Sequence, residues 1–256
     1  MSEQSPSAER TEPFQQDGRP NVSIILPTFN EKDNIVSLVE ELRSRFRAGH
    51  YSYELLVVDD QSPDGTAGIV ATAFAEDPGV RVIVRRKNPG LAYSIREGIE
   101  SSTGAIILVM DTDFNHKPTD ATLLFQVAQY VDLVIGSRFT FGGGMSSLLR
   151  YYLSYLYNIF LRLTLGTRLD DNLSGLFAIK RERMFQLDFD KIFWGYGDYF
   201  FRLLLLSQRA GFLHIEVPVY YGERLGGESK TRFVGIFAKY TREVFYLIVL
   251  KALGRW

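Results

Sequence analysis

Cysteine is absent from all 256 residues, which removes thiol catalysis, thiolate zinc sites and iron–sulfur clusters and leaves no disulfide to form. That fits a reducing compartment. Charge of one sign is also lacking: 29 Lys+Arg against 30 Asp+Glu leave a net charge of −1. No global basic field suggests nucleic acid, so any anion binding must be local. Long apolar runs are missing too. Met1–Pro20 holds no apolar run of the roughly 7–15 residues that a secretory signal needs and reads as a disordered tail. Val244–Leu250, the longest uncharged apolar run near the C-terminus, falls well short of the ~20 residues that cross a bilayer. The expectation is a protein that is soluble or bound to a membrane from one side.

What is present is a globular balance, 46% hydrophobic and 14% aromatic, in a chain long enough to bury a core without staples. Apolar runs of strand length at Val22–Leu26, Leu55–Val58, Arg81–Val84, Ile106–Met110 and Leu133–Ile135 alternate with helical periodicity at Asn34–Phe46, Ala67–Ala75, Ala92–Ser101 and Ala121–Tyr130. The strands are apolar on both faces, as in a covered parallel sheet. The fold class is α/β. The predicted strands run out into Pro27-Thr-Phe-Asn-Glu31, Asp59-Asp-Gln-Ser62, Arg85-Arg-Lys87, Asp111-Thr-Asp113 and Gly136-Ser-Arg138. Charged groups thus collect at strand carboxyl ends, where open α/β sheets bind ligands.

Asp111 and Asp113 need a turn to converge, and would then suit a hard divalent cation held partly by substrate phosphates, with Asn115 and His116 nearby. Asp59, at a strand end, could accept hydrogen bonds from a base or ribose, while Asp64 or Thr66 caps the next helix. Beyond about Gly142 aromatic-rich helices take over. Leu148–Leu165 carries Arg150, Ser154, Asn158 and Arg162 at four-residue steps among Leu, Tyr, Ile and Phe. Such a stripe fits either a buried core helix or one lying in a membrane interface with its polar side toward the active site. Phe233–Leu253 repeats the theme. Between them Arg224-Leu-Gly-Gly-Glu-Ser-Lys230-Thr-Arg232 has the composition of a mobile loop that closes over phosphates.

Ile24–Glu31, Val57–Thr66, Asp111–Asp113, Gly136–Arg138, Ser174–Ala178 and Arg224–Lys230 together, in that order and spacing, resemble family 2 inverting glycosyltransferases. The nearest branch is that of dolichyl- or polyprenyl-phosphate mannosyltransferases. The resemblance implies a GT-A fold over residues 21–232, with an interface helix at about 146–165 and a C-terminal amphipathic interface helix over 233–256. It implies a nucleotide-diphosphate sugar donor such as GDP-mannose, Mg2+ or Mn2+, and a polyprenyl or dolichyl phosphate acceptor met at the cytoplasmic face of a membrane. By the same resemblance Pro27, Phe29, Glu31 and Asp59 surround the nucleotide. Asp111, Thr112 and Asp113 address ribose, diphosphate and metal, with Asn115 where the family has a metal-contacting Gln. Arg138, Arg150, Ser154 and Arg224 hold the acceptor phosphate, and Ser229 and Lys230 sit in the closing loop. Asp113, Arg138 and Arg224 are the expected catalytic residues. Phe29 stands for the usual Tyr, and Asn115-His-Lys117 for Gln-His-Pro. Asp198 lies near the position of the general base in other members.

A lipid phosphate is already ionised at neutral pH and needs no base. A hydroxyl acceptor would need one, with Asp198 in that role. A magnesium phosphohydrolase would carry its paired aspartates on the first strand rather than the fourth, and a membrane-bound binding module would need no paired carboxylates at all.

Overall fold

The computed structural model describes residues 18–222 and 233–253. The first part alternates strand and helix: β1 (Val22–Thr28), α1 (Ile35–Ala48), β2 (Tyr53–Asp59), α2 (Thr66–Ala73), β3 (Val80–Val84), α3 (Leu91–Glu100), β4 (Ile106–Val109), α4 (Pro118–Ala128) and β5 (Leu133–Ser137). There follow β6 (Gly144–Met145), α5 (Leu148–Leu165), β7 (Phe177–Lys180), the single turns α6 (Arg181–Met184) and α7 (Phe189–Ile192), α8 (Tyr199–Arg209), β8 (His214–Pro218), β9 (Tyr220–Tyr221) and α9 (Phe233–Ala252).

Seven strands form one sheet in the order β3-β2-β1-β4-β7-β5-β8. Period-two alternation splits β1 and β2 between two cores. Ile24, Leu26, Leu55 and Val57 meet α1 and α4 on one face, while Ile25, Leu56 and Val58 meet α3 and α8 on the other. A third cluster, Leu161 and Leu165 with Phe201, Leu205, Val244 and Leu247, joins α5, α8 and α9.

Periodicity anticipates β1 to β5 but not β7, which runs antiparallel between β4 and β5. The chain leaves β5 and enters β7 at the same end of the strands, where Ile135 pairs with Phe177, with no crossover back, so only an antiparallel strand fits. β1 pairs with β2 on one side and β4 on the other. The connections therefore reverse direction beside β1, and a crevice opens there.

At the opposite end of the strands a buried carboxylate ties three segments. Glu54 Oε1 accepts from Ser23 Oγ at 2.5 Å and from the Thr103 N–H at 2.5 Å, and Oε2 accepts from Arg81 at 3.0 Å. Burial pushes the Glu54 pKa up, but hydrogen bonds from Ser23, Thr103 and the Gly104 N–H outweigh it and hold the group below its ordinary value. A depressed folded pKa adds stability above the unfolded value, and that stability is lost as pH falls through the folded one. Glu54→Gln, which turns an amide NH2 toward these donors, should cost about 1–3 kcal/mol in urea unfolding at pH 7. The gap from wild type should narrow toward pH 3; an equal gap at both pH values would contradict the assignment.

Candidate active site

The crevice at the carboxyl ends of the strands is a cleft of about 1300 Å³. Pro27, Phe29 and Glu31 line it after β1, Asp60 after β2, Pro89 to Leu91 after β3, and Asp111 to Asp113 after β4. The facing wall is Leu173–Gly175, Trp194–Phe200 and one face of α9. Four non-glycine residues with left-handed backbone, Asn30, Gln61, Asn88 and Phe114, follow β1, β2, β3 and β4 in turn. Each turns the chain sharply as it leaves the sheet. For a bulky residue such as Phe114 this conformation costs roughly 1–2 kcal/mol, so its surroundings must hold it.

They do so through the paired aspartates' own turn. The Asp113 carboxylate accepts the Asn115 N–H at 3.1 Å and its side-chain amide at 2.9 Å. His116 Nδ1 accepts the Asp111 N–H at 3.1 Å, which demands a neutral ring. Burial supplies that condition by pushing the His116 pKa down to about 4. The turn that the spacing of the two aspartates requires is thus fastened at both ends, and both carboxylates reach the cleft. His116 is part of its framework, a role its place beside the motif did not reveal.

Asp59 does not line the cleft. It is buried, and its oxygens accept from Ser62 N–H, Ser62 Oγ and Thr28 Oγ1, so it organises the turn after β2. Its neighbour Asp60, the first residue past β2, takes the place at the cleft, because successive residues of an extended chain point to opposite sides. Asp60 accepts from the Gly90 N–H at 2.6 Å and from Arg85 at 2.7 Å. Arg85 is itself buried and also bonds Glu97 and the Lys87 and Asn88 carbonyls. The N-cap of α2 is Gly65, in left-handed backbone, rather than Asp64 or Thr66; Asp64 braces the turn ahead of it, accepting the Thr66 N–H at 3.0 Å.

Of the residues expected at the acceptor phosphate, the described ones, Arg138, Arg150 and Ser154, do not line the cleft. Arg138 is buried and grips Asp171 through Nε and Nη2, each at 2.7 Å. The α5 stripe faces the loop over residues 166–174 rather than the cleft. Asn158 Oδ1 accepts the Asn172 N–H at 2.6 Å, Arg162 pairs with Asp170, and Ser154 is buried with its carbonyl bonded to Asn158. Arg150 is exposed in the first turn of α5. Arg224, Ser229 and Lys230 lie outside the described residues.

On the far wall, Asp198 Oδ1 accepts the Tyr196 N–H at 2.7 Å and Oδ2 accepts from Arg202 at 2.5 Å. Arg202 is fully buried, reaches Glu243 of α9 at 3.2 Å and stacks on Trp194 at 3.8 Å. α9 therefore walls the cleft rather than standing apart as a separate C-terminal element.

Among the described residues no three His, Asp or Glu side chains gather into a metal cage. Asp111, Asp113 and the Asn115 amide offer oxygen donors, a set suited to Mg2+ or Mn2+ that takes its remaining ligands from substrate phosphates. The residues fit such an ion.

Residues 23–185 match glycosyl transferase family 2. The chain is 36% identical to the undecaprenyl-phosphate mannosyltransferase of Micrococcus luteus, over 82% of this chain and 86% of that one. It is 31% identical to the dolichol-phosphate mannosyltransferase of Pyrococcus furiosus, over 89% of this chain and 63% of the relative. A solved structure of glucosyl-3-phosphoglycerate synthase from Mycobacterium tuberculosis, in complex with Mn2+, UDP and phosphoglyceric acid, superimposes with a TM-score of 0.65 at 22% identity. That superposition covers 91% of this chain and 78% of the other. The fold is GT-A.

The junction of α9 with the cleft makes one prediction. A methyl group at Gly197 would run into the Tyr240 hydroxyl, whereas the nearest ring carbon stands at 3.3 Å. Gly197→Ala should therefore lower the melting temperature and turnover, with overpacking of about 1–3 kcal/mol. Adding Tyr240→Phe should restore most of both; no rescue would mean that the two residues do not meet.

Proposed function

The chain belongs to glycosyl transferase family 2, and from that premise we propose that it moves mannose from GDP-mannose to the phosphate of a polyprenyl or dolichyl phosphate at a membrane surface. Two of its relatives bear the names of mannosyltransferases acting on lipid phosphates. The observation that carries the reading is the reversed amphipathicity of α5. This helix buries Ser154 and Asn158 and exposes Leu148, Leu149, Tyr152, Leu156 and Leu163, the last to 81%. α9, packed against it, exposes Phe245, Tyr246 and Val249. No helix among the described residues is long and apolar enough to cross a membrane. An apolar face beside a cleft of carboxylates suits an enzyme whose acceptor tail stays in a bilayer while its phosphate reaches in.

In the proposed reaction an oxygen of the acceptor phosphate attacks the anomeric carbon as the bond to the nucleoside diphosphate breaks on the opposite face, so the configuration inverts. No proton has to be removed first. Phe29, Glu31 and Asp60 face the nucleotide end. Asp111, Asp113 and Asn115 would hold Mg2+ or Mn2+, which when bound offsets the charge on the departing diphosphate. Thr112 sits between them at the cleft floor. A hydroxyl acceptor would call on Asp198 as base, but both its oxygens already serve the Trp194–Asp198 turn. Arg138 acts through Asp171 on the wall behind the site, and Arg224, Ser229 and Lys230 complete the acceptor side.

Incubation with a panel of nucleotide sugars and a short polyprenyl phosphate, followed by mass spectrometry of the lipid, tests the reading; transfer only to a hydroxyl would sink it. Asp113→Ala should cut turnover by orders of magnitude and, by removing the two Asn115 contacts that hold the turn, lower the melting temperature as well; Asp113→Asn, which keeps an acceptor for the Asn115 N–H, should lose turnover with a smaller fall in melting temperature. Full activity in excess chelator would rule out the metal.

The apolar faces can be tested apart from catalysis. Leu149→Glu with Leu156→Glu should reduce flotation of the protein with liposomes several-fold, and unchanged flotation would remove α5 from the contact.

A further inference from the structure

One buried side chain touches both sides of the cleft. Tyr221 closes β9, and its carbonyl accepts the Ser146 N–H at 3.0 Å, so the short β6–β9 pair anchors its backbone. Its phenol donates to the Ser174 carbonyl at 2.7 Å. That uses the single phenolic proton, which leaves the Ser174 hydroxyl to donate to the phenol oxygen across 2.9 Å. Ser174 and Gly175 belong to the facing wall, and the Ser174 hydroxyl oxygen in turn accepts the Leu176 N–H at 3.3 Å.

The ring of the same tyrosine reaches the other side. It meets His116 edge to face, with centroids 4.7 Å apart, and the Arg138 guanidinium lies over it at 4.8 Å. His116 accepts the Asp111 N–H on Nδ1, so its own proton sits on Nε2, which is buried and finds no hydrogen-bond partner. A single hydrogen bond does not fix the tilt of an imidazole. The steeply inclined Tyr221 ring supplies the second restraint, and an aromatic face is a surface that tolerates an N–H without an acceptor atom.

We propose that Tyr221 is a positioning residue of the cleft: through Ser174 it sets the facing wall, through His116 it steadies the Asp111–Asp113 turn, and it thereby fixes how far apart the two stand. The kinetic part of its test rests on the glycosyl-transfer reading; the exchange part does not.

Two variants of the full chain separate the two links. Tyr221→Phe removes the hydroxyl and keeps the ring, whereas Tyr221→Leu removes both. Hydrogen exchange read by mass spectrometry follows the amides of 111–116 and of 173–176, and transfer from GDP-mannose to farnesyl phosphate with Mn2+ gives kcat and KM. In Tyr221→Phe, exchange should quicken several-fold over 173–176 and stay at the wild-type rate over 111–116. The kcat should fall about tenfold with the KM for GDP-mannose within about twofold, because a displaced wall costs alignment rather than donor affinity. In Tyr221→Leu both segments should exchange faster, and the affinity for Mn2+ with GDP, measured by calorimetry, should fall as well.

Wild-type exchange over 173–176 in Tyr221→Phe would overturn the proposal. So would a rise in exchange spread evenly over the whole chain with kcat and KM unmoved, the mark of a tyrosine that only fills space. If the wild type transfers no sugar, the glycosyl-transfer reading fails, and the exchange of the two segments still decides the role of Tyr221.

Discussion

Arg202 is the group on which the far wall of the cleft depends. Its guanidinium is fully buried, yet bonds the Ile192 and Trp194 carbonyls, Asp198 and Glu243, and sits over the Trp194 ring. A buried charge is tolerable only when paired and hydrogen-bonded, and here one cation meets two carboxylates, one from the turn before α8 and one from α9. Burial pushes the Glu243 pKa up and Arg202 opposes it. The guanidinium thus clamps α8, the Trp194–Asp198 turn and α9 into one surface. Removing it would strand two carboxylates against each other, a loss of the order of 3–5 kcal/mol for a broken buried pair.

That clamp explains how α9 can have three sides. Val244 and Leu247 pack on α5 and α8, Lys239 and Glu243 meet the cleft, and Phe245 and Val249 face outward. A helix with apolar residues on two separate sides has no unique way to lie on a core from hydrophobicity alone. The Glu243–Arg202 bond and the close approach of Tyr240 to Gly197 decide which apolar side is buried. Polar contacts here fix orientation, while apolar contacts supply most of the stabilisation.

Much of this was legible in the chain. The five strands β1 to β5, α5 from Leu148 to Leu165, and the carboxylates at strand ends follow from periodicity and from the position of charge. What sequence pattern could not supply is pairing at a distance. Arg138 reads as a cation at a strand end, but Asp171, 33 residues on, takes it up. Asp59 and Asp60 look alike until the pleat assigns one to the interior and the other to the cleft. β7 lies past the point where strand and helix stop alternating, and its direction depends on where the chain re-enters the sheet. The stripe on α5 was seen correctly as a stripe. Its facing came from Asn172 and Asp170, whose proximity only the folded loop creates.

These corrections share a physical logic. Arg85, Arg138 and Arg202 are each buried, each bonds at least one carboxylate, and none lines the cleft itself. A guanidinium placed behind the surface holds a loop through its planar fork, where a lysine would offer a single mobile charge. Positive charge is thereby spent on architecture, and the cleft floor keeps an acidic face around Asp111 and Asp113. Such a floor repels a bare diphosphate but accepts one accompanied by a divalent cation. On the proposed chemistry the donor therefore enters with its cation, and the acceptor phosphate must approach from the other side of the anomeric carbon, the arrangement that a single inverting displacement requires.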